Sequence, residues 1–252
     1  MRLTVIGCAG SYPGPDSPAS CYLVEAVDGD RTWRILLDLG SGALGYLQRF
    51  IDPLDVDALF LSHLHPDHFF DISGYYVMRK YHPEGPQPRI PVWGPKGTAR
   101  RAAVSYGLPP EPGMTEEFDF YEYDGQPVRV GPFTITTSRL VHPVETYGLR
   151  IEQDGRVLAY SGDTGPCPGL VDLAKGADLL LAEASFREGE ENPEELHLTG
   201  RQAGKAAARA GVGTLVLTHI PPWHDREPAM AEARLEYDGR IELARTGATF
   251  DV

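Results

Sequence analysis

The segment from Ser62 to His68, SHLHPDH, constrains this chain more than any other. It places three imidazoles and one carboxylate in six consecutive residues, directly after an apolar run. Because buried polar rings cost free energy unless they find partners, such a cluster builds a poor core. Metal binding supplies those partners. In an extended chain His63 and His65 project to one side, whereas Asp67 and His68, where the chain turns into a helix, can face a second ion.

Three polar residues downstream are the candidates for further ligands. His142, Asp163 and His219 each follow a run that the residue pattern predicts to be a strand. Side chains at strand ends can emerge from a sheet edge into a shared cleft. Neutral imidazole and carboxylate suit Zn²⁺, and Mn²⁺ or Fe²⁺ is chemically possible.

The pattern of apolar and polar residues along the rest of the chain predicts an α/β protein with sheets inside and helices outside. Short apolar or alternating runs predict strands, whereas Gly42–Ile51, Phe69–Tyr81, Thr199–Ala210 and Ala229–Tyr237 have apolar residues at helical spacing. With 252 residues the chain can bury a substantial core. Because no linker-like segment interrupts it, we expect a single domain over residues 1–252.

Charge and cysteine content exclude several functional classes. The formal net charge of −13 disfavours a broad nucleic-acid-binding face. Cys8, Cys21 and Cys167 are odd in number and scattered, so we expect buried thiols rather than a disulfide framework. No membrane-spanning run is visible, and a cytoplasmic location is expected.

The ordered pattern HxHxDH, a lone His, Asp in a GDT turn and a final His resembles the metallo-β-lactamase superfamily over essentially the whole chain. The resemblance implies an αββα sandwich of two mixed sheets flanked by helices. It also implies two metal ions, one held by His63, His65 and His142, the other by Asp67, His68 and His219, with Asp163 bridging both. Asp38 matches a supporting aspartate of the family, which would orient a ligand imidazole or the glycine-rich turn behind it rather than bind metal.

Two features are similar to the phosphodiesterase branch, which includes ribonuclease Z and class II cyclic-nucleotide phosphodiesterases. Asp163 replaces the Cys that lactamases of this fold usually carry, and Glu183 with His197 resembles the acidic-plus-imidazole pair of that branch. The resemblance implies a di-zinc hydrolase in which a metal-bridging hydroxide, partnered by Asp67, attacks phosphorus. His197, held by Glu183, would protonate the leaving group or bind a phosphate oxygen. We expect small phosphodiesters as substrates, first of all cyclic AMP, which would be converted to AMP.

Ribonuclease Z carries a long basic arm between the lone His and the bridging Asp. Here the segment between His142 and Asp163 is short and predicts two strands joined by a turn at Asp154-Gly155. Because affinity for nucleic acid depends on neutralised phosphates, we expect no stable tRNA binding.

Other functions stay open from the sequence: a ribonuclease Z-like nuclease, a lactone, thioester or arylsulfate hydrolase, or a nucleotide sensor with little catalysis. An acyl hydrolase would need an oxyanion donor, for which Tyr12 and Tyr22 are candidates.

The aromatic residues that could stack a base, or serve only as packing, are Phe69, Phe70, Tyr75, Trp93 and Trp223. A homodimer formed through the helix after HxHxDH is suggested by the apolar residues Phe69, Phe70, Ile72, Tyr75, Tyr76 and Met78, which burial inside the monomer would equally explain.

Overall fold

Two seven-stranded β-sheets pack face to face in the computed structural model, which describes residues 1–252. Their order is β14-β1-β2-β3-β4-β5-β6 and β13-β12-β11-β10-β9-β8-β7. In chain order the strands are β1 (Arg2–Gly7), β2 (Cys21–Asp28), β3 (Arg31–Leu37), β4 (Ala58–Phe60), β5 (Ile90–Gly94), β6 (Phe118–Glu122), β7 (Val128–Val130), β8 (Phe133–Arg139), β9 (Tyr147–Gln153), β10 (Arg156–Tyr160), β11 (Leu179–Glu183), β12 (Thr214–Thr218), β13 (Arg240–Leu243) and β14 (Thr249–Asp251). Pairs from β3 to β6 and from β10 to β13 are parallel and the others antiparallel, so both sheets are mixed.

Helices cover the outer faces of both sheets. They are α1 (Ala43–Leu47), α2 (Pro66–Phe69), α3 (Ile72–Lys80), α4 (Thr98–Tyr106), α5 (Pro168–Ala174), α6 (Gly200–Ala210) and α7 (Glu227–Ala233). One apolar cluster fills the space between the sheets, a second joins the first sheet to α1, α3 and α4, and a third joins the second sheet to α5, α6 and α7. This confirms the predicted αββα layering. None of the helices has both the length and the apolar character that crossing a membrane requires.

The topology brings the carboxyl ends of several strands to one end of the sandwich. In each sheet, parallel neighbours end at the same edge, where open α/β sheets place their ligand sites. Strand β8 also ends there in the second sheet, because it is antiparallel to β9, which is antiparallel to β10. The predicted site residues lie at or just after these ends.

The observed bounds of two helices differ from the predicted ones, and one strand was not predicted. The helix expected over Phe69–Tyr81 is α3, which begins at Ile72 and ends at Lys80, whereas Phe69 ends the short helix α2. Between the two helices, Asp71 accepts hydrogen bonds from the Gly42 and Leu44 amides at the start of α1. The last helix ends at Ala233, before the predicted Tyr237. Strand β13 was not predicted, since charged residues interrupt its short apolar pattern at the sheet edge.

The cysteine prediction holds for two of the three thiols. Cys8 and Cys21 are buried, but Cys167 is partly exposed because it precedes α5 at the surface, where its Sγ lies 3.6 Å from Thr164 Oγ1. All three are free.

Truncating Leu181 on β11 tests the inter-sheet core. This side chain is fully buried between the sheets. We expect Leu181→Ala to lower the free energy of unfolding by about 2–5 kcal/mol, because it removes buried methyl groups and leaves a cavity. The matched control is Leu235→Ala, whose side chain is 69% exposed, and which should change stability by less than about 0.5 kcal/mol. Urea unfolding of both variants is the measurement, and equal effects would contradict the packing described.

Candidate metal centre

Seven polar side chains converge at the strand ends in two groups of donor atoms. The first consists of His63, His65, His142 and Asp163, and the second of Asp67, His68, His219 and Asp163. Within each group the donor atoms lie within 4.8 Å of one another. The structure thus brings together every residue that the sequence analysis assigned as a metal ligand, with Asp163 common to both groups.

The first group draws on three strands. His63 and His65 follow β4, His142 follows β8 and Asp163 follows β10. His65 Nδ1 is 3.1 Å from His63 Nε2 and 3.2 Å from His142 Nε2, and Asp163 Oδ2 is 3.6 Å from His63 Nε2. His65 therefore presents Nδ1, and its two histidine neighbours present Nε2.

The second group lies deeper. His68 Nε2 is 3.0 Å from His219 Nε2 and 3.6 Å from Asp67 Oδ2. The other oxygen of Asp163, Oδ1, is 3.2 Å from His68 Nε2 and 3.5 Å from His219 Nε2. Asp163 therefore directs one carboxylate oxygen to each group. Asp163, His68 and His219 are each at most 2% exposed.

The hydrogen bonds on the far sides of the rings fix two tautomers in the first group. His142 Nδ1 donates to the Leu196 carbonyl at 2.8 Å, because a carbonyl can only accept. The hydroxyl of Ser62 donates to Asp38 Oδ2, and its oxygen is then free to accept from His63 Nδ1 at 3.1 Å. The Nε2 atoms of His63 and His142 accordingly carry lone pairs that face the shared centre.

The second group is arranged in the same way. His68 Nδ1 donates to Asp38 Oδ2 at 2.7 Å. Ser185 Oγ donates to the His219 carbonyl and accepts from His219 Nδ1, both at 2.8 Å. In their neutral forms both rings direct an Nε2 lone pair inward. Ring nitrogens held by such outer hydrogen bonds are the usual arrangement around a bound metal.

The ionisation of these groups favours cation binding. Burial lowers the pKa of His63 well below its ordinary value and also lowers that of His142, which keeps these imidazoles neutral. For Asp163, burial acts to raise the pKa, but the neighbouring imidazoles of His219, His68 and His63 lower it well below the usual range. His68 is the exception, because the charges of Asp163, Asp67 and Asp38 outweigh burial and raise its pKa.

The donor set fits divalent cations. Tetrahedral zinc with ligands at about 2.0–2.1 Å requires donor atoms about 3.3 Å apart, and the separations given above range from 3.0 to 3.6 Å. Asp163 Oδ1 is buried and has no hydrogen-bond partner. Converging ring nitrogens together with a buried carboxylate oxygen that has no hydrogen-bond partner fit a positively charged ligand.

Asp38 supports the centre without contributing a donor atom to either group. Its carboxylate is fully buried and accepts from the Ser62 amide, the Ser62 hydroxyl, His68 Nδ1 and the Tyr160 hydroxyl. The hydrogen bond to His68 Nδ1 is the contact through which Asp38 would orient that imidazole, and the orienting role stays a prediction. The backbone at Asp38 has φ +60°, and His219 has φ +57°, a conformation that non-glycine residues rarely adopt. Positive φ at two site residues is typical of functional positions.

Glu183 and His197 stand beside both donor groups. His197 Nδ1 is 2.9 Å from Glu183 Oε1 and 4.0 Å from Asp163 Oδ2. Glu183 is fully buried and also accepts from the Thr164, Ser185 and Leu198 amides. Burial acts to lower the pKa of His197, but Glu183 raises it to about 9. The side chain of His197 is 13% exposed and lines a cavity of about 290 Å³ with Phe186.

Sequence reasoning missed the outer partners. Ser62 and Ser185 could have been identified from the sequence, since both lie inside motifs that the sequence analysis singled out. Tyr160 and the Leu196 carbonyl had none, because only the folded chain brings them to Asp38 and His142.

The aromatic candidates separate by environment. Phe69, Tyr75 and Tyr22 are buried, the Tyr22 hydroxyl is hydrogen-bonded to Thr218 Oγ1, and Trp93 stacks on Tyr121. Of the six apolar residues considered for a dimer interface, Phe69, Ile72, Tyr75 and Tyr76 are buried within the chain, which accounts for most of that apolar character, and the homodimer stays a prediction.

Replacing Asp38 tests its orienting role. Asparagine is isosteric and tolerates positive φ, but it lacks the charge that holds His68. We expect Asp38→Asn to weaken divalent-cation binding by about 10- to 100-fold. Zinc titration with a competing chelator measures this. Asp57→Asn, at a carboxylate that pairs with Arg31 and lies outside both donor groups, is the control. Unchanged zinc affinity in Asp38→Asn would contradict the assignment.

Comparison with known proteins agrees with this geometry. The model of the beta-lactamase superfamily domain matches residues 33–220. The chain is 47% identical to an uncharacterized protein of Mycobacterium leprae, over 100% of this chain and 89% of the relative. It is 32% identical to a ribonuclease Z of Mycolicibacterium paratuberculosis, over 96% of this chain and 95% of that one. The crystal structure of the metallo-beta-lactamase fold protein YhfI from Bacillus subtilis superposes with a TM-score of 0.86 at 28% identity, covering 99% of this chain and 98% of that one. The chain belongs to the metallo-β-lactamase superfamily, in the branch that contains ribonuclease Z, and is a metal-dependent hydrolase.

Proposed function

We propose that this hydrolase is a di-zinc phosphodiesterase acting on small phosphodiesters, with cyclic nucleotides as the favoured substrates. The observation that carries the proposal is the Glu183–His197 pair, which lies against two donor groups that share Asp163. A metal centre alone suits many hydrolytic reactions. A fixed imidazole beside it adds the proton donor that an alkoxide leaving group requires.

The proposed ligands are His63, His65 and His142 for one ion and Asp67, His68 and His219 for the other, with Asp163 between them. The chemistry supplied by a bound pair of divalent cations is activation of a water nucleophile and neutralisation of charge on the phosphate oxygens. In this proposal Asp67, whose Oδ2 is 3.1 Å from His219 Nε2, is also the hydrogen-bond partner of the attacking water.

His197 serves as the proton donor in this proposal. Its Nδ1–H is fixed by Glu183, so that Nε2 is the atom that can give a proton to the departing oxygen. The ring centroid lies 5.3 Å from that of His142 and 5.6 Å from that of His219, which places His197 next to both ligand sets. Glu183 is a positioning residue, since it acts through His197.

The surroundings of the centre favour a small substrate. Between His142 and Asp163 the chain forms only the hairpin of β9 and β10, with a turn at Asp154 and Gly155. No basic extension leaves the sandwich there. A net charge of −13 disfavours the binding of a folded RNA, whereas a small diester needs only local charge neutralisation at the site.

The test is to incubate the zinc-loaded protein with cyclic AMP and to follow nucleotide products by chromatography. We expect AMP to appear with zinc-loaded protein and not with chelator-stripped protein. His65→Ala, which removes one proposed ligand, should abolish turnover together with part of the bound zinc, as measured by elemental analysis.

Three results would redirect the proposal. Absence of cyclic AMP turnover, with metal bound, but hydrolysis of a linear diester would change the substrate. Activity confined to acyl esters, thioesters or arylsulfates would overturn the phosphodiesterase function. Tight nucleotide binding without turnover at full metal occupancy would indicate a sensor.

Replacing His197 separates proton donation from metal binding. We expect His197→Ala to retain both zinc ions and to lower turnover of an alkyl diester by about 10²–10⁴-fold, the usual contribution of general acid catalysis. A nitrophenyl diester, whose leaving group needs no proton, should be affected least. His82→Ala, in the turn after α3, is the matched histidine control. Equal losses on both esters would argue against an acid role.

A further inference from the structure

Two exposed aromatic rings are paired at the surface, on two segments that meet at His219. The ring centroids of Tyr12 and Trp223 are 5.2 Å apart, with an interplanar angle of 32°. His224 contacts Trp223 from another direction, at 5.9 Å and 70°. Trp223 is nevertheless 60% exposed and Tyr12 43% exposed. The pair is therefore held in place by its neighbours while much of its ring surface faces solvent.

The backbone ties this pair to the metal centre. The Gly10 amide donates to the Ile220 carbonyl at 3.3 Å, and a Cβ at Gly10 would lie 2.3 Å from the His219 carbonyl oxygen. Only glycine permits this approach of the two segments. Tyr12 follows two residues after Gly10, and Trp223 lies in the turn after Ile220. Both rings thus extend from segments that pack directly on a proposed metal ligand.

Packing does not explain the pair. A single exposed aromatic residue is common on protein surfaces. Here two such rings from segments far apart in sequence pack on each other, although neither contributes to the apolar clusters of the sandwich. Ser11, between Gly10 and Tyr12, adopts φ +65°, an unfavourable conformation for serine that sets the position of Tyr12.

We propose that Tyr12 and Trp223 form a stacking platform that binds the nucleobase, or an equivalent planar aromatic group, of the substrate. The inference rests on the proposed phosphodiesterase function, because the phosphodiester group must lie at the metal centre for the platform to meet the base. Aromatic side chains stack on any nucleobase and carry no charge, so such a platform gives affinity without a preference for one base over another. The platform would raise affinity for nucleotides over diesters that lack an aromatic group.

The experiment compares two ligands that differ only in the base. Binding of AMP and of ribose 5-phosphate to the zinc-loaded protein is measured by calorimetry for the parent chain, Trp223→Ala, Trp223→Phe and Tyr12→Ala. We expect the parent chain to bind AMP about tenfold more tightly than ribose 5-phosphate, in keeping with the usual contribution of one stacked base. The preference should fall to within about twofold in Trp223→Ala, decrease partly in Tyr12→Ala and persist in Trp223→Phe.

The control is Tyr81→Ala, which removes an aromatic ring that is 64% exposed after α3 and should leave the preference unchanged. Circular dichroism and zinc content of each variant exclude unfolding and metal loss as causes. Equal affinity of the parent chain for the two ligands, no binding of either, or an unchanged preference in Trp223→Ala would overturn the platform. Failure of the phosphodiesterase function would appear separately, as absent cyclic AMP turnover, while the AMP preference is measured without catalysis.

Discussion

The buried carboxylate of Asp38 is the interaction on which the rest of the site depends. It follows β3 in the first sheet and accepts hydrogen bonds from Ser62 after β4, His68 in α2 and Tyr160 at the end of β10 in the second sheet. A charge with no exposure is tolerated only when its lone pairs are satisfied. Satisfying this one links the two sheets through Tyr160 and holds the ring of His68 at the same time.

The centre that this carboxylate supports gathers negative charge that a cation would neutralise. Despite burial, Asp163, Asp67 and Asp38 raise the pKa of His68, and the Nε2–H of the protonated ring can donate to His219 Nε2 at 3.0 Å. A bound cation would take the place of that proton, since a ligand imidazole must be neutral. The positive φ at His219 is maintained by the surrounding strands and hydrogen bonds. Metal binding and folding are therefore expected to stabilise each other.

The αββα layering and the convergence of the candidate metal ligands could largely be predicted from the sequence. The sequence places His63, Asp163 and His219 just after apolar runs, and the parallel strands of the two sheets carry such residues to the same end of the sandwich. What could not be predicted depends on contacts between distant segments. The hydrogen bonds of Tyr160 to Asp38, of His142 to the Leu196 carbonyl and of the Gly42 amide to Asp71 have no local sequence pattern, because tertiary packing selects each partner. Likewise β13 pairs at an edge, where burial leaves a weak signal.

In the function proposed here, reaction chemistry and substrate selection would be carried by different parts of the fold. Asp163, His68 and Glu183 are buried at strand ends and held by several partners each, so their positions follow from the sandwich itself. Tyr12 and Trp223 lie on exposed segments that reach the centre only through the close approach of Gly10 to His219. Loops tolerate substitution better than strand ends do. A change of substrate within this architecture is therefore expected to alter the two aromatic residues and to leave the donor groups intact.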